Sequence, residues 1–192
     1  MNTSKSCASC GDSRLDEVVV FEGLPVHVGV LWSTAEAAAD CPTGTMRLVY
    51  CPSCGLLSNA AFDESLLDYS LEYDNSLHAS EVFRSFEASL VDDLVRRHGL
   101  EHRRIVEVGG GDGRFLRLLC EAGDNRGLGF DPSARVDSES ADGRVMMRAE
   151  YFGQDTQWES FDLLCCRQVL EHVPDLAGFM SPIASAMEDQ PG

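Results

Sequence analysis

Residues 105–115 read IVEVGGGDGRF, and this stretch decides the fold of the second half of the chain. The apolar run predicts a buried strand, four of the next five residues are glycines, and a helix follows. Glycine permits a tight turn and lets backbone amides approach a ligand closely. The pattern predicts a strand-turn-helix unit that holds the polar end of a ligand, with an ordinary turn as the alternative. The candidate contacts are Glu107, Gly109, Gly110, Gly111 and Gly113.

The glycine spacing differs from that of the dinucleotide-binding fingerprint. Counted from Gly109, a G-x-G-x-x-G pattern has Arg114 at its last position. A small residue is needed there for the helix to pack closely on the strand. The spacing therefore disfavours an NAD-dependent enzyme, which stays the first alternative, and favours a nucleoside cofactor of another kind.

Composition and charge limit the class of protein. The 192 residues carry 15 Lys and Arg against 32 Asp and Glu, a net charge of -17 at pH 7, which argues against nucleic-acid or membrane-surface binding. No apolar stretch approaches the roughly 20 residues that span a bilayer, and residues 1–16 contain no apolar secretory core. We therefore predict a cytoplasmic protein. In that compartment the eight cysteines indicate metal binding or free thiols rather than disulfides.

Two matched cysteine pairs occur, CASCG at 7–11 and CPSCG at 51–55. Each C-x-x-C-G knuckle directs two sulfurs towards one point. Four thiolates satisfy tetrahedral Zn²⁺ and leave no position for water, so the predicted zinc site is structural. Its ligands are Cys7, Cys10, Cys51 and Cys54. Incidental cysteines or a redox pair are the alternatives, and Cys41 is a competing ligand.

Residues 1–61 are predicted to form a small β-rich zinc-binding domain. Its predicted elements are strands at 18–21 and 26–31, a helix at 33–40 and a strand at 45–50. A turn at Gly23-Leu24-Pro25 separates the first two strands.

Residues 62–99 are predicted to be a linker that ends in an amphipathic helix. Apolar residues at helical spacing place this helix at Glu81 to His98, with Gly99 ending it. The predicted apolar face consists of Phe83, Phe86, Leu90 and Leu94 with Val82, Val91 and Val95.

Residues 100–192 alternate between strand and helix patterns. The predicted strands are 105–108, 126–131, 145–147 and 161–166, and the predicted helices are 114–122 and a segment from Asp175 to about Met187. This alternation predicts an α/β fold with part of a doubly wound, Rossmann-like parallel sheet.

Asp131 ends the second of these strands, 22 residues after Gly109. A carboxylate at that position accepts hydrogen bonds from both ribose hydroxyls of a nucleoside cofactor. A turn or capping role before Pro132 is the alternative.

These motifs together resemble class I S-adenosylmethionine (SAM) dependent methyltransferases. Glu-x-Gly-x-Gly-x-Gly at 107–113 is similar to their first motif, and Val-Leu-Glu-His-Val-Pro at 169–174 is similar to their loop after the fourth strand. In that family this loop lines the methionine end of SAM, which implies that Arg167 and Gln168 lie near cofactor and substrate. In that family the residues after the third strand also lie near the adenine. Glu150 and Tyr151 are therefore candidates, with core packing equally open for Tyr151 and Phe152.

The cysteine pairs narrow the resemblance to the sugar C-methyltransferase-like family, over residues 7–187. Its members begin with a C-x-x-C…C-x-x-C domain and continue through a tyrosine-rich linker, similar to Tyr69–Ser76 here. Some methylate carbon 3 of nucleotide-linked 4-keto-deoxysugars. The resemblance implies SAM and structural Zn²⁺ as cofactors. It also implies a small-molecule acceptor such as a nucleotide-linked sugar.

The resemblance further implies that the sequence is truncated. A methyltransferase sheet of this kind has seven strands, and the family's histidine-containing catalytic segment is expected after residue 192. His172 is a candidate base, with packing or loop ordering equally open. A catalytically incomplete, zinc-stabilised cofactor-binding fragment is the second alternative.

Overall fold

The structure is a computed structural model. It describes residues 6–27, 30, 32–66, 77–134, 138–140, 142–153, 160–188 and 190. Within those ranges the chain forms two compact units, one of residues 6–66 with 174–177 and one of residues 77–173 with 178–190. The tyrosine-rich segment 69–76 lies outside the described residues, so the resemblance there stays a prediction. Within the described ranges, the helices lack the combined length and apolarity that crossing a membrane requires.

The first unit is built on an antiparallel sheet. Its strands are β1 (Asp16–Pro25), β2 (Thr43–Tyr50) and β3 (Leu57–Asn59), in the order β1-β2-β3. The predicted alanine-rich helix is α1 (Ala35–Ala39), and the Thr34 hydroxyl caps it by accepting a hydrogen bond from the Ala37 N–H at 3.1 Å. The first unit is therefore small and β-rich, as predicted.

The predicted turn at Gly23-Leu24-Pro25 is wrong, because β1 continues through these residues. The pairing with β2 is irregular between Phe21 and Leu24, and Gly23 has a φ of 68°. Glycine adopts this angle without steric cost, so the strand absorbs it as a local irregularity. Pro25 stands at the end of an edge strand, where its missing N–H is tolerated. Of the predicted strand at 26–31, the described residues 26, 27 and 30 are not in a strand.

The second unit carries a five-stranded sheet. Its strands are β4 (Arg104–Val108), β5 (Arg126–Phe130), β6 (Ser138–Glu139), β7 (Val145–Arg148) and β8 (Leu163–Cys166). Their order is β6-β7-β5-β4-β8, with β6 antiparallel to β7 and the other four strands parallel. The four parallel strands confirm the predicted α/β, Rossmann-like fold; β6 was not predicted. Strand order reverses between β4 and β8, and open α/β sheets bind ligands at such a switch point, at the carboxyl ends of the strands.

Helices cover both faces of this sheet. They are α2 (Glu81–His98), α3 (Arg114–Gly123) and α4 (Leu176–Glu188). Ile105 belongs to a buried cluster with residues of α2 and α3, whereas Val106 belongs to a second cluster with residues of α4. Because successive strand residues point to opposite faces, the sheet is doubly wound, as predicted.

Helix α2 has the predicted bounds. The Ser80 hydroxyl accepts a hydrogen bond from the Phe83 N–H at 3.3 Å, and Gly99 ends the helix in the left-handed conformation. The predicted apolar face is only partly buried, since Phe86 is 55% exposed and Val82 is 81% exposed. A glutamate, Glu87, is buried on this helix instead.

Candidate functional site

Glycines in the left-handed region form the turn between β4 and α3. The φ angle is 75° at Gly109, 57° at Gly111 and 74° at Gly113. A Cβ at position 111 would meet no atom of the described residues within 4 Å. The turn therefore presents bare backbone to open space at the carboxyl edge of the sheet, in a conformation that L side chains rarely adopt.

Asp131 follows β5 and lies against this turn. Its Oδ2 accepts a hydrogen bond from the Gly111 N–H at 2.7 Å. Its Oδ1 accepts from the Ser133 N–H at 2.8 Å and from the Ser133 hydroxyl at 2.6 Å. The carboxylate therefore ties the ends of β4 and β5 together. These are the local turn contacts that the sequence analysis gave as the alternative to a ribose-binding role.

Glu107 is buried beneath the glycine turn. The residue is 3% exposed, and its Oε2 has no hydrogen-bond partner within the described residues. A Cβ at Gly110 would lie 2.6 Å from that oxygen, so the close approach requires glycine. Burial raises the pKa of Glu107 to about 7, while the charge of Arg167 opposes that rise. Buried polar atoms rarely lack partners, so this oxygen marks a place where a ligand or a water molecule would supply a hydrogen bond.

Arg167 begins the loop after β8 and points across to α3. Its guanidinium carbon lies 3.7 Å from the centroid of the Phe115 ring, a cation–π contact. The arginine is close enough to Glu107 to lower the pKa of that carboxyl. A positive charge held by an aromatic ring therefore faces a buried acid at the switch point.

The same loop lies directly on the glycine turn. A Cβ at Gly109 would collide with the Val169 side chain. Gln168 has a φ of 55°, which costs a non-glycine residue about 1 kcal/mol. Strain of this kind persists where the surrounding structure fixes the backbone, as it does at many functional sites. The structure therefore brings together two motifs that lie more than fifty residues apart in sequence.

His172 ends a short 3₁₀ helix, Leu170–His172. Its N–H donates to the Val169 carbonyl at 2.9 Å, and its side chain is exposed. The backbone thus orders the loop here, and a role for the imidazole as a base stays a prediction.

Glu150 and Tyr151 follow β7 at the same edge of the sheet. Both are exposed; Glu150 forms an ion pair with Arg148 at 3.5 Å, and Tyr151 is 78% exposed. Phe152 is buried, and its ring meets the Phe130 ring edge-on at 5.5 Å between centroids. Phe152 therefore packs in the core, which leaves Tyr151 as the aromatic residue on the surface at this position.

The four predicted zinc ligands converge in the first unit. Cys7 Sγ lies 3.6 Å from Cys54 Sγ, Cys10 Sγ lies 3.6 Å from Cys51 Sγ, and all four sulfurs are within 4.8 Å of one another. Tetrahedral Zn²⁺ with bonds of about 2.3 Å places its thiolates about 3.8 Å apart. The donor set and its spacing therefore fit zinc. Cys41 is not part of this group.

The two knuckles have the same backbone turn. Gly11 and Gly55 have φ angles of 73° and 79°, and each N–H donates to the carbonyl of the first cysteine in its knuckle, at 3.0 and 2.8 Å. Cys120 and Cys165 lie in the second unit, where burial raises the pKa of each thiol to about 12. Those thiols belong to the apolar core.

Sequence reasoning missed Glu87. Its carboxylate is buried and accepts a hydrogen bond from Arg114 Nε at 3.1 Å. Glu87 stands four residues from both Phe83 and Val91, so it interrupts the apolar face of α2. That interruption was the available signal, together with an arginine at the position where the dinucleotide fingerprint has a small residue.

Comparison with known proteins identifies the class. Residues 80–192 match the family model described as "Methyltransferase domain", and the chain belongs to this methyltransferase family. It is also similar to the "Ubiquinone biosynthesis O-methyltransferase" of Hydrogenovibrio crunogenus (strain DSM 25203 / XCL-2). The two are 33% identical over an alignment of 141 residues, which covers 69% of this chain and 53% of that protein. The chain thus spans about half the length of this curated relative. These two matches support a class I methyltransferase and do not address the sugar C-methyltransferase group or the zinc domain.

Proposed function

We propose that the chain binds SAM at the carboxyl ends of β4, β5 and β8, as the cofactor-binding part of a SAM-dependent methyltransferase. The observation that carries this proposal is the unpartnered Oε2 of Glu107 beneath the glycine turn, in a chain whose family ordinarily uses SAM. This oxygen would accept a hydrogen bond from the ammonium group of the methionine moiety. The positive charge of that ammonium group would also favour the charged form of the buried Glu107 carboxylate.

Each candidate residue has a role in this proposal. The backbone of Gly109–Gly113 admits the cofactor because the space before Gly111 is open. Asp131 accepts from ribose, since Oδ2 uses one of its two acceptor sites for the turn. Arg167 and Gln168 face the methionine end. Glu150 and the exposed Tyr151 are the candidates for the adenine end.

Methyl transfer needs orientation more than it needs acid or base groups on the cofactor side. Bound SAM supplies an electrophilic methyl group on a sulfonium. The residues of this chain fix its position: Glu107 and Arg167 present opposite charges at one end, and Asp131 holds the sugar. Such positioning converts a bimolecular step into an effectively unimolecular one.

The acceptor is proposed to be a small molecule. The relative from Hydrogenovibrio crunogenus is named as an O-methyltransferase of ubiquinone biosynthesis, which favours a hydroxyl acceptor. The four-cysteine cluster favours a second candidate, carbon methylation of a nucleotide-linked deoxysugar, because that resemblance rests on the cysteine pairs. We further propose a cytoplasmic protein without a nucleic-acid or membrane partner, in keeping with its net charge of -17.

We also propose that Cys7, Cys10, Cys51 and Cys54 hold a structural Zn²⁺. The support is the mutual approach of four sulfurs within 4.8 Å and the repeated turn at Gly11 and Gly55. With four thiolates the metal has no position for a substrate, so its contribution is to the folding of the first unit.

Calorimetric titration of the 192-residue chain with SAM, S-adenosylhomocysteine and NAD⁺ tests the cofactor. We expect SAM and S-adenosylhomocysteine to bind and NAD⁺ to give no heat. Asp131→Ala should weaken the binding of both ligands, whereas Asp92→Ala, at an exposed position of α2, should not. Binding of NAD⁺ alone would replace the proposal with the NAD-dependent alternative, and failure of all three ligands would reject it.

A further inference from the structure

Glu87 places a charge inside the packing between α2 and α3. The residue is 2% exposed and lies in the middle of α2. A carboxylate at that depth is strongly unfavourable unless it is paired and hydrogen-bonded. Its partner is Arg114, whose Nε donates to Oε2 at 3.1 Å. His78 Nδ1 lies 3.9 Å from the same oxygen, beyond hydrogen-bond distance.

Arg114 is the first residue after the glycine turn. It opens α3 directly after Gly113, and its N–H donates to Asp112 Oδ1 at 3.0 Å. Its side chain leaves the turn and reaches α2. The Glu87–Arg114 pair therefore joins a neighbouring helix to the residue at which the turn becomes a helix.

Packing alone does not require this pair. Val91, Leu116 and Leu119 already belong to one buried cluster that holds α2 against α3. Apolar residues of similar volume often replace a buried ion pair without loss of stability. A hydrogen-bonded ion pair is directional, however, and buried polar groups fix the register of packed helices in some proteins.

The pair also lies close to the buried acid of the site. Burial is the main cause of the raised pKa of Glu107, and the negative charge of Glu87 adds to it. Glu87 thus acts on the same small region as the turn and Arg167. A shift of Arg114 would move the turn and alter the field at Glu107 together.

We propose that Glu87 is a positioning residue for the cofactor-binding turn and acts through Arg114. The ion pair holds the first turn of α3 against α2 and thereby sets the direction of the Gly111 and Gly113 amides. This inference rests on the proposed function.

The test compares Glu87→Gln with Val91→Ala in the full 192-residue chain. Glu87→Gln keeps the shape and removes the charge, whereas Val91→Ala loosens the same helix contact without touching the pair. We expect Glu87→Gln to weaken the binding of S-adenosylhomocysteine about tenfold, which is the size of effect that loss of a residue supporting the ligands has at metal sites. Val91→Ala should lower stability and leave the affinity within about twofold of wild type. Arg96→Gln, which removes an exposed ion pair of α2, should change neither.

Two further measurements keep the inference open to failure. In ¹⁵N spectra of the ligand-free chain, the amide signals of Gly111 and Gly113 should shift in Glu87→Gln and not in Val91→Ala. Arg114→Lys keeps the charge and should retain more affinity for S-adenosylhomocysteine than Arg114→Met. This pair of variants tests the inference even if Glu87→Gln does not fold.

The outcomes separate the inference from the proposed function. If wild type binds S-adenosylhomocysteine and Glu87→Gln or Arg114→Met binds it equally well, Glu87 is only a packing residue. Unshifted glycine signals in Glu87→Gln lead to the same conclusion. If wild type itself does not bind, the proposed function fails and the inference falls with it.

Discussion

At the scale of single residues, Glu107 is the point where burial and charge oppose each other. It lies in the interior strand β4, opposite Gly129 of β5 and Cys165 of β8. Burial favours the protonated carboxyl, whereas Arg167 favours the carboxylate. The residue is therefore poised to change its charge near neutral pH, where an exposed glutamate is already ionised.

This conflict predicts a pH-dependent stability. The pKa of Glu107 is about 7 in the folded chain against an ordinary value of 4.5. The folded chain therefore binds more protons between these values than the unfolded chain. The stabilisation from Glu107 is complete below pH 4.5 and lost as pH rises through 7. Glu107→Gln removes this dependence, which amounts to about 3 kcal/mol at most.

Urea unfolding at a series of pH values measures the effect. The free energy of unfolding of wild type should fall relative to that of Glu107→Gln as pH rises through this range. Glu121→Gln, at an exposed position of α3, is the control for loss of a carboxylate. Parallel profiles for wild type and Glu107→Gln would contradict the buried, proton-binding state of Glu107.

At the scale of elements, the glycine turn joins a strand to a helix through backbone angles that only glycine adopts easily. The turn holds its shape through the Asp131 contact and through the loop after β8. A Cβ at Gly111 would meet no described atom within 4 Å, so the turn is open at that residue. A substitution at Gly111 changes both the backbone strain and the space for a ligand. The same substitution at a positive-φ glycine outside the site changes only the strain, so comparing the two variants separates the two effects.

Gly111→Ala and Gly143→Ala form that comparison. Both glycines have positive φ, 57° and 70°, so each alanine should cost about 1 kcal/mol of stability. Only Gly111→Ala places a methyl group in the proposed cofactor space. It alone should therefore weaken the binding of SAM, by about tenfold, which corresponds to about 1.4 kcal/mol. Calorimetry and thermal unfolding of both variants measure the two effects. Equal SAM affinity in the two variants would remove Gly111 from the site.

Local signals in the sequence determined some elements and not others. Ser80 and Gly99 mark the ends of α2, because a hydroxyl cap and a left-handed glycine act within one turn of the helix. The Gly23-Leu24-Pro25 pattern misled, because pairing with β2 holds a glycine and a proline in an edge strand. The Glu87–Arg114 contact joins residues 27 apart. Helical periodicity marks the acid as an interruption but does not name its partner.

Some features of the candidate site could likewise be predicted from the sequence and others could not. The glycine turn, Asp131 and the loop after β8 followed from motif spacing and strand order, because parallel strands end at one edge. The unpartnered oxygen of Glu107 and the Arg167–Phe115 contact depend on packing in three dimensions. No periodic pattern encodes them.

At the scale of the whole molecule, the two units of the chain differ in how much core they bury. The second unit has two buried clusters, one on each face of its sheet. The first unit has a three-stranded sheet, and among its described residues only a few are buried, namely Cys7, Val49, Cys51 and Ala60. Small units with so little core are commonly stabilised by a metal or by disulfides.

Metal removal should therefore affect the two units unequally. We expect one Zn²⁺ per chain by elemental analysis. A chelator should increase amide hydrogen exchange across residues 6–66 and leave the exchange of β4, β5 and α3 unchanged. Cys51→Ser should abolish zinc binding, whereas the Cys41→Ser variant should still bind zinc. Unchanged exchange in the first unit after chelation would exclude a structural metal.

The contacts of Asp131 have a consequence for selection among nucleosides. A carboxylate has about four acceptor positions, and Gly111 and Ser133 occupy three of them. In the proposed complex, one ribose hydroxyl would take the remaining position directly, whereas a second would have to displace the Ser133 hydroxyl. Recognition of the sugar would then be partly an exchange of one hydrogen bond for another. A deoxyribose analogue would forgo that exchange at little loss, so we expect this aspartate to discriminate only modestly between ribo- and deoxyribonucleosides.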